Sequence, residues 1–178
     1  MTTPAQAAPP AAPRARGFSF LDAASPGAPA TPAPGAVGEV LGDRFELLQR
    51  IGRGGMAVVY LAHDRQLPQP AAIKILCERH PAAEQRFLDE LDILGTLPHP
   101  HLVHPLGCGR TASGHLYMAM ELVRGDNLRD RLLEFGPLLW REALDVGIQV
   151  AEVLAHLHAA GVLHRDVKPG NIMLLSGS

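Results

Sequence analysis

Eight consecutive residues, His164-Arg165-Asp166-Val167-Lys168-Pro169-Gly170-Asn171, carry three groups able to act on one reaction centre. Asp166 can accept a proton from an attacking hydroxyl. Lys168, two residues on, can neutralise a phosphoryl group in transfer. Asn171 offers a carbonyl oxygen, a hard ligand suited to Mg²⁺. A lone His-Arg-Asp run is no more than a charge cluster at a helix end; the offsets of Lys168 and Asn171 raise it above that. Upstream, the stretch Ile51-Gly52-Arg53-Gly54-Gly55-Met56-Ala57-Val58-Val59-Tyr60 is built around three glycines. A glycine backbone admits phosphate oxygens where a Cβ would stand in the way. The same spacing fits a dinucleotide-binding turn, but that turn needs a helix directly after the glycines and an acid about 20 residues further on. Here a β-branched run follows, and the distant position falls on Ile73-Lys74.

Lys74 lies mid-strand, 22 residues after Gly52. Side chains alternate along a strand, so its ammonium points away from those of Ile73 and Ile75 and lies beside the glycine turn when those two face the other side. Glu90 sits beside the apolar face of a helix, three residues from Phe87 and four from Leu94, where a carboxylate needs a positive partner. Lys74 is the partner expected for it, and the pair would hold a cation above the phosphate turn. The chain has 14 arginines and only two lysines, Lys74 and Lys168. Both fall in these motifs, where a compact ammonium differs from a planar guanidinium fork.

The elements that must position these groups are legible from periodicity. Strands are expected at Phe45–Ile51, Ala57–Ala62, Ala71–Leu76, near Leu102–Cys108 and at Leu116–Leu122. A helix follows Pro81 and runs to about Leu97, a short one spans Leu128–Glu134, and a long one runs from about Leu138 to Ala160 and stops at Gly161. From Ala143 to Leu157 ten of 15 residues are apolar, on nearly all sides, which is the pattern of a helix buried in a larger body. Residues 1–38 differ: they hold eight of the 16 prolines, twelve alanines and three charged residues. Such a segment is expected to be a disordered arm with polyproline character, in which Phe18, Phe20 and Leu21 form a small apolar patch.

Composition narrows the function classes. The 178 residues are enough for one domain with a core. A net charge of −2 argues against a nucleic-acid partner or an anionic membrane bound through bulk charge. Two cysteines, Cys77 and Cys108, make no disulfide framework. No apolar run approaches the roughly 18 residues of a membrane span, and the N-terminus lacks the apolar core of a secretion signal. A cytoplasmic location is therefore expected. His99, His101 and His104 lie close together but lack co-ligands at metal spacing. The oligomeric state is not legible.

Taken together, the chain resembles the protein-kinase superfamily, and within it the bacterial serine/threonine kinases of eukaryotic type, over about Leu41–Leu175. The resemblance implies an α+β fold: a five-stranded antiparallel N-lobe sheet with one regulatory helix (about 39–122), then the start of a helical C-lobe (about 123–178). It implies ATP and Mg²⁺ as cofactors and a protein bearing serine or threonine as substrate. By resemblance Ile51, Gly52, Arg53, Gly54, Gly55 and Val59 belong to the phosphate loop around ATP, Lys74 grips the α- and β-phosphates, and Glu90 is its helix partner. Met120 is the gatekeeper, Glu121 to Val123 the hinge toward adenine, and Asp126 a ribose contact. Asp166 is the catalytic base, Lys168 marks a serine/threonine rather than a tyrosine enzyme, and Asn171 binds magnesium.

Departures are small until the end. Ala57 replaces a third glycine, Ala71 a commoner valine, and Val167 a leucine. The family's second metal-binding segment, Asp-Phe-Gly, falls about a dozen residues after the catalytic-loop asparagine; the seven residues after Asn171 do not contain it. These residues alone are thus expected to be a fragment with negligible transfer activity, its long helix short of cover and its stable part confined to the N-lobe or prone to aggregate. The alternative is a non-catalytic module that binds ATP or a kinase partner.

Overall fold

The computed structural model describes residues 15–18 and 34–175. In chain order its elements are β1 (Ala15–Phe18), β2 (Val40–Leu41), β3 (Phe45–Arg53), β4 (Ala57–Asp64), β5 (Pro70–Leu76), α1 (Pro81–Thr96), β6 (Pro105–Arg110), β7 (Leu116–Glu121), β8 (Gly125–Asn127), α2 (Leu128–Phe135), α3 (Trp140–Ala159), a 3₁₀ turn (Pro169–Asn171) and β9 (Ile172–Leu175). Strands β2 to β7 form one antiparallel sheet in the order β2-β3-β4-β5-β7-β6, and β1, β9 and β8 form a second, in that order. The fold is α+β, a sheet-rich lobe followed by helices.

Strand alternation divides the core in two. Val58, Tyr60, Ile73, Ile75, Tyr117 and Ala119 project to one face of the large sheet, closed over by Leu41, Phe45 and Leu47. Val59, Ala72, Leu76, Met118 and Met120 project to the other, against Phe87 and Leu94 of α1 and the buried Val146, Val153 and Leu157 of α3. Period two thus decides that Lys74, between Ile73 and Ile75, faces the helical side. The helices start and stop on local chemistry. Pro81 opens α1 after His80, whose ring accepts from the Ala82 N–H. Asn127 caps α2 by accepting from the Asp130 N–H at 2.9 Å. Gly161, at φ +76°, follows α3, and its N–H donates to the His158 carbonyl.

Three expectations change. The large sheet has six strands, not five, because Val40–Leu41 pairs with Phe45 and Glu46. Strand β6 begins at Pro105, not Leu102: Leu102 and Val103 are buried, but the Leu102 N–H closes a turn onto the His99 carbonyl instead of joining the ladder. Helix α3 leaves Leu144 and Ile148 about half exposed, in line with its expected shortage of cover. Finally, Ala15–Phe18 of the expected arm pairs antiparallel with β9; Phe20 and Leu21 lie outside the described residues. Among the described residues no helix is long and apolar enough to cross a membrane.

One buried ion pair holds the β3–β4 hairpin to β6. Asp64, 1% exposed, takes two bonds from Arg44, at 2.7 and 2.9 Å, and also accepts from the Gln66 and Leu67 N–H groups. Arg44 donates a further bond to the Leu106 carbonyl. The Arg44 guanidinium brings the Asp64 carboxyl down to about 2. A carboxyl lowered by folding contributes stability above its ordinary value, and this is lost as pH falls from about 4 toward 2. Asp64→Asn is expected to lower stability at pH 7 by about 1–3 kcal/mol and to flatten the acid limb between pH 4 and 2, as read by urea unfolding across that range. An unchanged acid limb would show that other carboxylates govern it.

Candidate functional site

The sheet lobe and the helical part enclose a cleft of about 1030 Å³. Ile51, Gly52, Arg53, Gly54 and Val59 of the β3–β4 hairpin line its upper side, and Val123 and Asp126 the strand that leaves the sheet. Lys74, Glu90, Asp166 and Lys168 converge on the same space. Residues from four separate stretches are therefore brought together by the antiparallel order that sets Val59 opposite Lys74. A Cβ built on Gly52 would meet Val59 at 3.6 Å, an ordinary contact. The fold itself does not require glycine at 52, so its smallness serves the space beneath it.

The Lys74 ammonium donates to both Glu90 oxygens at 2.8 Å. Both side chains are nearly out of water, 7% and 13% exposed. The ammonium also stands 5.6 Å from the centre of the Phe87 ring. Burial pushes the Glu90 carboxyl up, and the nearby Asp166 charge adds to this, while Lys74 opposes both; the net direction is upward. The cation is thus fixed in direction by one carboxylate at the wall of the cleft.

The loop after α3 is wound tightly around Asp166. Arg165 takes a positive φ of 63°, a left-handed conformation that a non-glycine residue holds only under tertiary constraint. The Asp166 N–H donates to the His164 carbonyl at 2.9 Å. Asn171, fully buried, donates through its amide both to the Asp166 backbone carbonyl, at 2.8 Å, and to a carboxylate oxygen, at 2.9 Å. Lys168 reaches the same carboxylate oxygen at 2.9 Å. Burial works to raise the Asp166 carboxyl, but the bonds from Lys168 and Asn171 outweigh it and hold the group below the ordinary carboxylate range. Asp166 is therefore ionised at neutral pH. The remaining amide oxygen of Asn171 is buried and, among the described residues, has no hydrogen-bond partner. A buried acceptor left open beside an ionised carboxylate is a donor set that fits a hard divalent cation.

Comparison with known proteins gives the family. The family model described as "Protein kinase domain" matches residues 45–178. The chain belongs to the protein kinase family. A protein of Clostridium perfringens named as a probable serine/threonine-protein kinase is 40% identical over 141 residues, which are 78% of this chain and 20% of the relative. Serine/threonine-protein kinase PknK of Mycobacterium tuberculosis is 38% identical over 143 residues, 79% of this chain and 13% of the relative. The crystal structure of the M. tuberculosis PknI kinase domain superposes with a TM-score of 0.70 at 29% identity, covering 80% of this chain and 58% of that one. This chain thus spans a fifth or less of the length of these curated relatives.

Within the kinase cleft the remaining expected residues are less directly placed. Met120 is buried in β7 and is not among the residues that line the cleft. The Glu121 N–H is spent on the His104 carbonyl, and its side chain accepts from the His104 N–H. Gly55 and Asn171 are not among the lining residues of the cleft; Asn171 reaches it through Asp166. Among the lining residues that escaped the sequence reading are Arg86 and Asp89 on α1, Arg129 on α2, and Met173. Met173 was within reach, because alternation in β9 buries Ile172 and Leu174 and turns Met173 the other way. The positions of Arg86, Asp89 and Arg129 depend on how α1 and α2 pack, which no local pattern reveals.

Gly125 marks the exit from the hinge. Its φ is +152°, and a Cβ there would fall onto the Leu174 carbonyl oxygen. Only glycine lets β8 close on β9 at this point.

Proposed function

We propose that this chain is the ATP-binding part of a serine/threonine protein kinase, with an N-lobe over about 39–122 and a C-lobe that begins at 123. The supporting observation is the convergence of Lys74, Asp166 and, through Asp166, Asn171 on one cleft under a glycine hairpin. Lys74 is suited to the α- and β-phosphates and Val123 to the adenine edge. Asn171, with its open amide oxygen, would hold Mg²⁺, which when bound shields the phosphate charge. In transfer, a serine or threonine oxygen attacks the γ-phosphorus and the bond to the β–γ bridging oxygen breaks. The hydroxyl proton passes to Asp166, and Lys168 faces the charge that spreads over the moving phosphoryl group. Asp166, ionised and held by two donors, is a base already oriented before substrate arrives.

A second reading, resting on the cleft and the Lys74–Glu90 pair alone, is a module that binds nucleotide without transferring phosphate. A titration with MgATP, beside an assay of phosphate transfer to a protein rich in serine and threonine, separates the readings. Binding that is lost in Lys74→Met supports the kinase cleft, and transfer beyond the Lys74→Met background supports catalysis by the chain itself. Binding without transfer supports the second reading, and absence of binding refutes both. Free Cys77 and Cys108, together with the need for ATP, fit a cytoplasmic location.

A further inference from the structure

Three imidazoles meet where the loop between α1 and β6 lies on α3. The His99 ring centre stands 5.5 Å from that of His101 and 5.1 Å from that of His156 on α3. His101 Nε2 lies 3.6 Å from a carboxylate oxygen of Glu152, one turn before His156 on the same helix. The Nε2 of His156 is buried and, among the described residues, has no hydrogen-bond partner. At the centre, the His99 ring closes a turn. Its Nδ1 accepts from the His101 N–H at 3.2 Å, and the His99 carbonyl accepts from the Leu102 N–H at 2.9 Å. That turn sets Leu102 and Val103 into the same core as Val153 and Leu157 of α3. Among the described residues no set of His, Cys, Asp or Glu is arranged to hold a metal ion. The charged and titratable groups around the ring are His101 on its own loop and Glu152 and His156 on α3. From α1, Leu94 faces the cavity of about 240 Å³ beside it, which His104 also lines. Further on, the loop is tied to the start of the hinge. The His104 N–H donates to a Glu121 carboxylate oxygen at 3.0 Å, and the His104 carbonyl accepts from the Glu121 N–H at 2.9 Å.

We propose that His99, ringed by His101, His156 and Glu152, is a proton-operated latch: neutral, it holds the α1–β6 loop on α3, and protonated, it releases the loop and loosens the anchor of Glu121 at the hinge. An acceptor nitrogen requires the neutral ring, because an imidazolium donates from both nitrogens and accepts at neither. A proton on Nδ1 therefore breaks the bond from the His101 N–H directly. Burial and the like charges of His156 and His101 hold His99 below the ordinary imidazole range, against the pull of Glu152. The sign follows. As pH falls through the ordinary value of 6.5, the unfolded ring takes its proton before the folded one, so the closed turn loses stability from there downward. The latch stands on its own geometry; its effect on nucleotide rests on the reading of the cleft as the ATP site.

The test uses the full chain and amide exchange corrected for the intrinsic rate at each pH. In the parent, protection of the His101 and Leu102 amides is expected to fall about tenfold between pH 7.5 and pH 5.5. His99→Asn keeps an acceptor for the His101 N–H but takes up no proton, and its protection is expected to change by less than about twofold. Glu152→Gln removes the charge that draws a proton to the ring and moves the transition to lower pH. His156→Phe removes a repelling charge and moves it to higher pH. Protection that falls equally in the parent and His99→Asn overturns the latch. So do amides already unprotected in the parent at pH 7.5, or a transition that stays in place in both α3 variants. MgATP affinity is expected to fall about threefold more in the parent than in His99→Asn over the same range, the comparison cancelling titration of the nucleotide itself. Equal falls overturn the link to the hinge and leave the latch standing. Lys74→Met at pH 7.5 then tells which reading has failed. If it binds MgATP as tightly as the parent, the ATP-site reading falls and the link with it; if its binding is lost, the link alone falls.

Discussion

Lys74→Met is expected to lower MgATP affinity by about 10- to 100-fold, the worth of charge-assisted bonds to phosphate, and to destabilise the fold by about 3–5 kcal/mol, the cost of stranding one partner of a buried pair. Both effects follow from the geometry. Glu90 is 13% exposed and has its two oxygens on one ammonium. Its carboxyl already sits above the ordinary range through burial. Without Lys74 it rises further. A carboxyl raised by folding favours the folded state most below its unfolded value and least once pH has passed its folded value. The penalty of Lys74→Met is therefore smallest at acid pH and grows toward neutrality. Adding Glu90→Gln removes the stranded charge. The double variant is expected to regain most of the stability and none of the affinity. Urea unfolding at pH 5 and pH 8, with nucleotide titration of the three proteins, reads both. A single variant that binds MgATP as tightly as the parent would sink the assignment of Lys74 to the phosphates.

Asn171→Ala is expected to reduce the magnesium-dependent part of ATP affinity by at least about tenfold, while metal-free binding changes by less than about twofold. The substitution does two things. It removes the open amide oxygen, and it takes away the donor that spans the Asp166 carbonyl and carboxylate. The Asp166 carboxyl should rise, since the Asn171 bond is one of the two that lower it. Stability should fall by about 1–3 kcal/mol as the Asp166 carbonyl loses its part-buried partner. Titrations of ATP with and without Mg²⁺, beside thermal unfolding, separate the loss of a ligand from a general loosening. A proportional loss of both binding modes would argue that Asn171 only holds the loop.

The sequence made the site more legible than the elements around it. Alternation alone turned Lys74 away from Ile73 and Ile75, and the position of Glu90 on its helix demanded a cation; the structure joins the two at 2.8 Å. Both inferences rest on period, which tertiary packing left intact. Leu102 and Val103 misled because apolar residues in a buried turn look like a strand, and the bond from the Leu102 N–H to the His99 carbonyl decides otherwise. In α3 Val146, Val153 and Leu157 are buried while Leu144 and Ile148 are about half exposed. Composition counts apolar residues and says nothing of which face meets a neighbour. Strand β1 could not be read at all: Ala-Arg-Gly-Phe has little strand propensity, and its partner lies at the opposite end of the chain.

Gly125 also limits how the two lobes can swing. From this residue onward the chain is locked to Leu174 and Leu175 through β8, and up to Glu121 it is locked into β7. Any opening or closing of the cleft must be absorbed by Leu122, Val123 and Arg124. A pivot of three residues, with a wall on each side, allows rotation about one short axis and little sliding. On the proposed placement of ATP, the adenine edge beside Val123 would then stay nearly still while the phosphate end travels furthest.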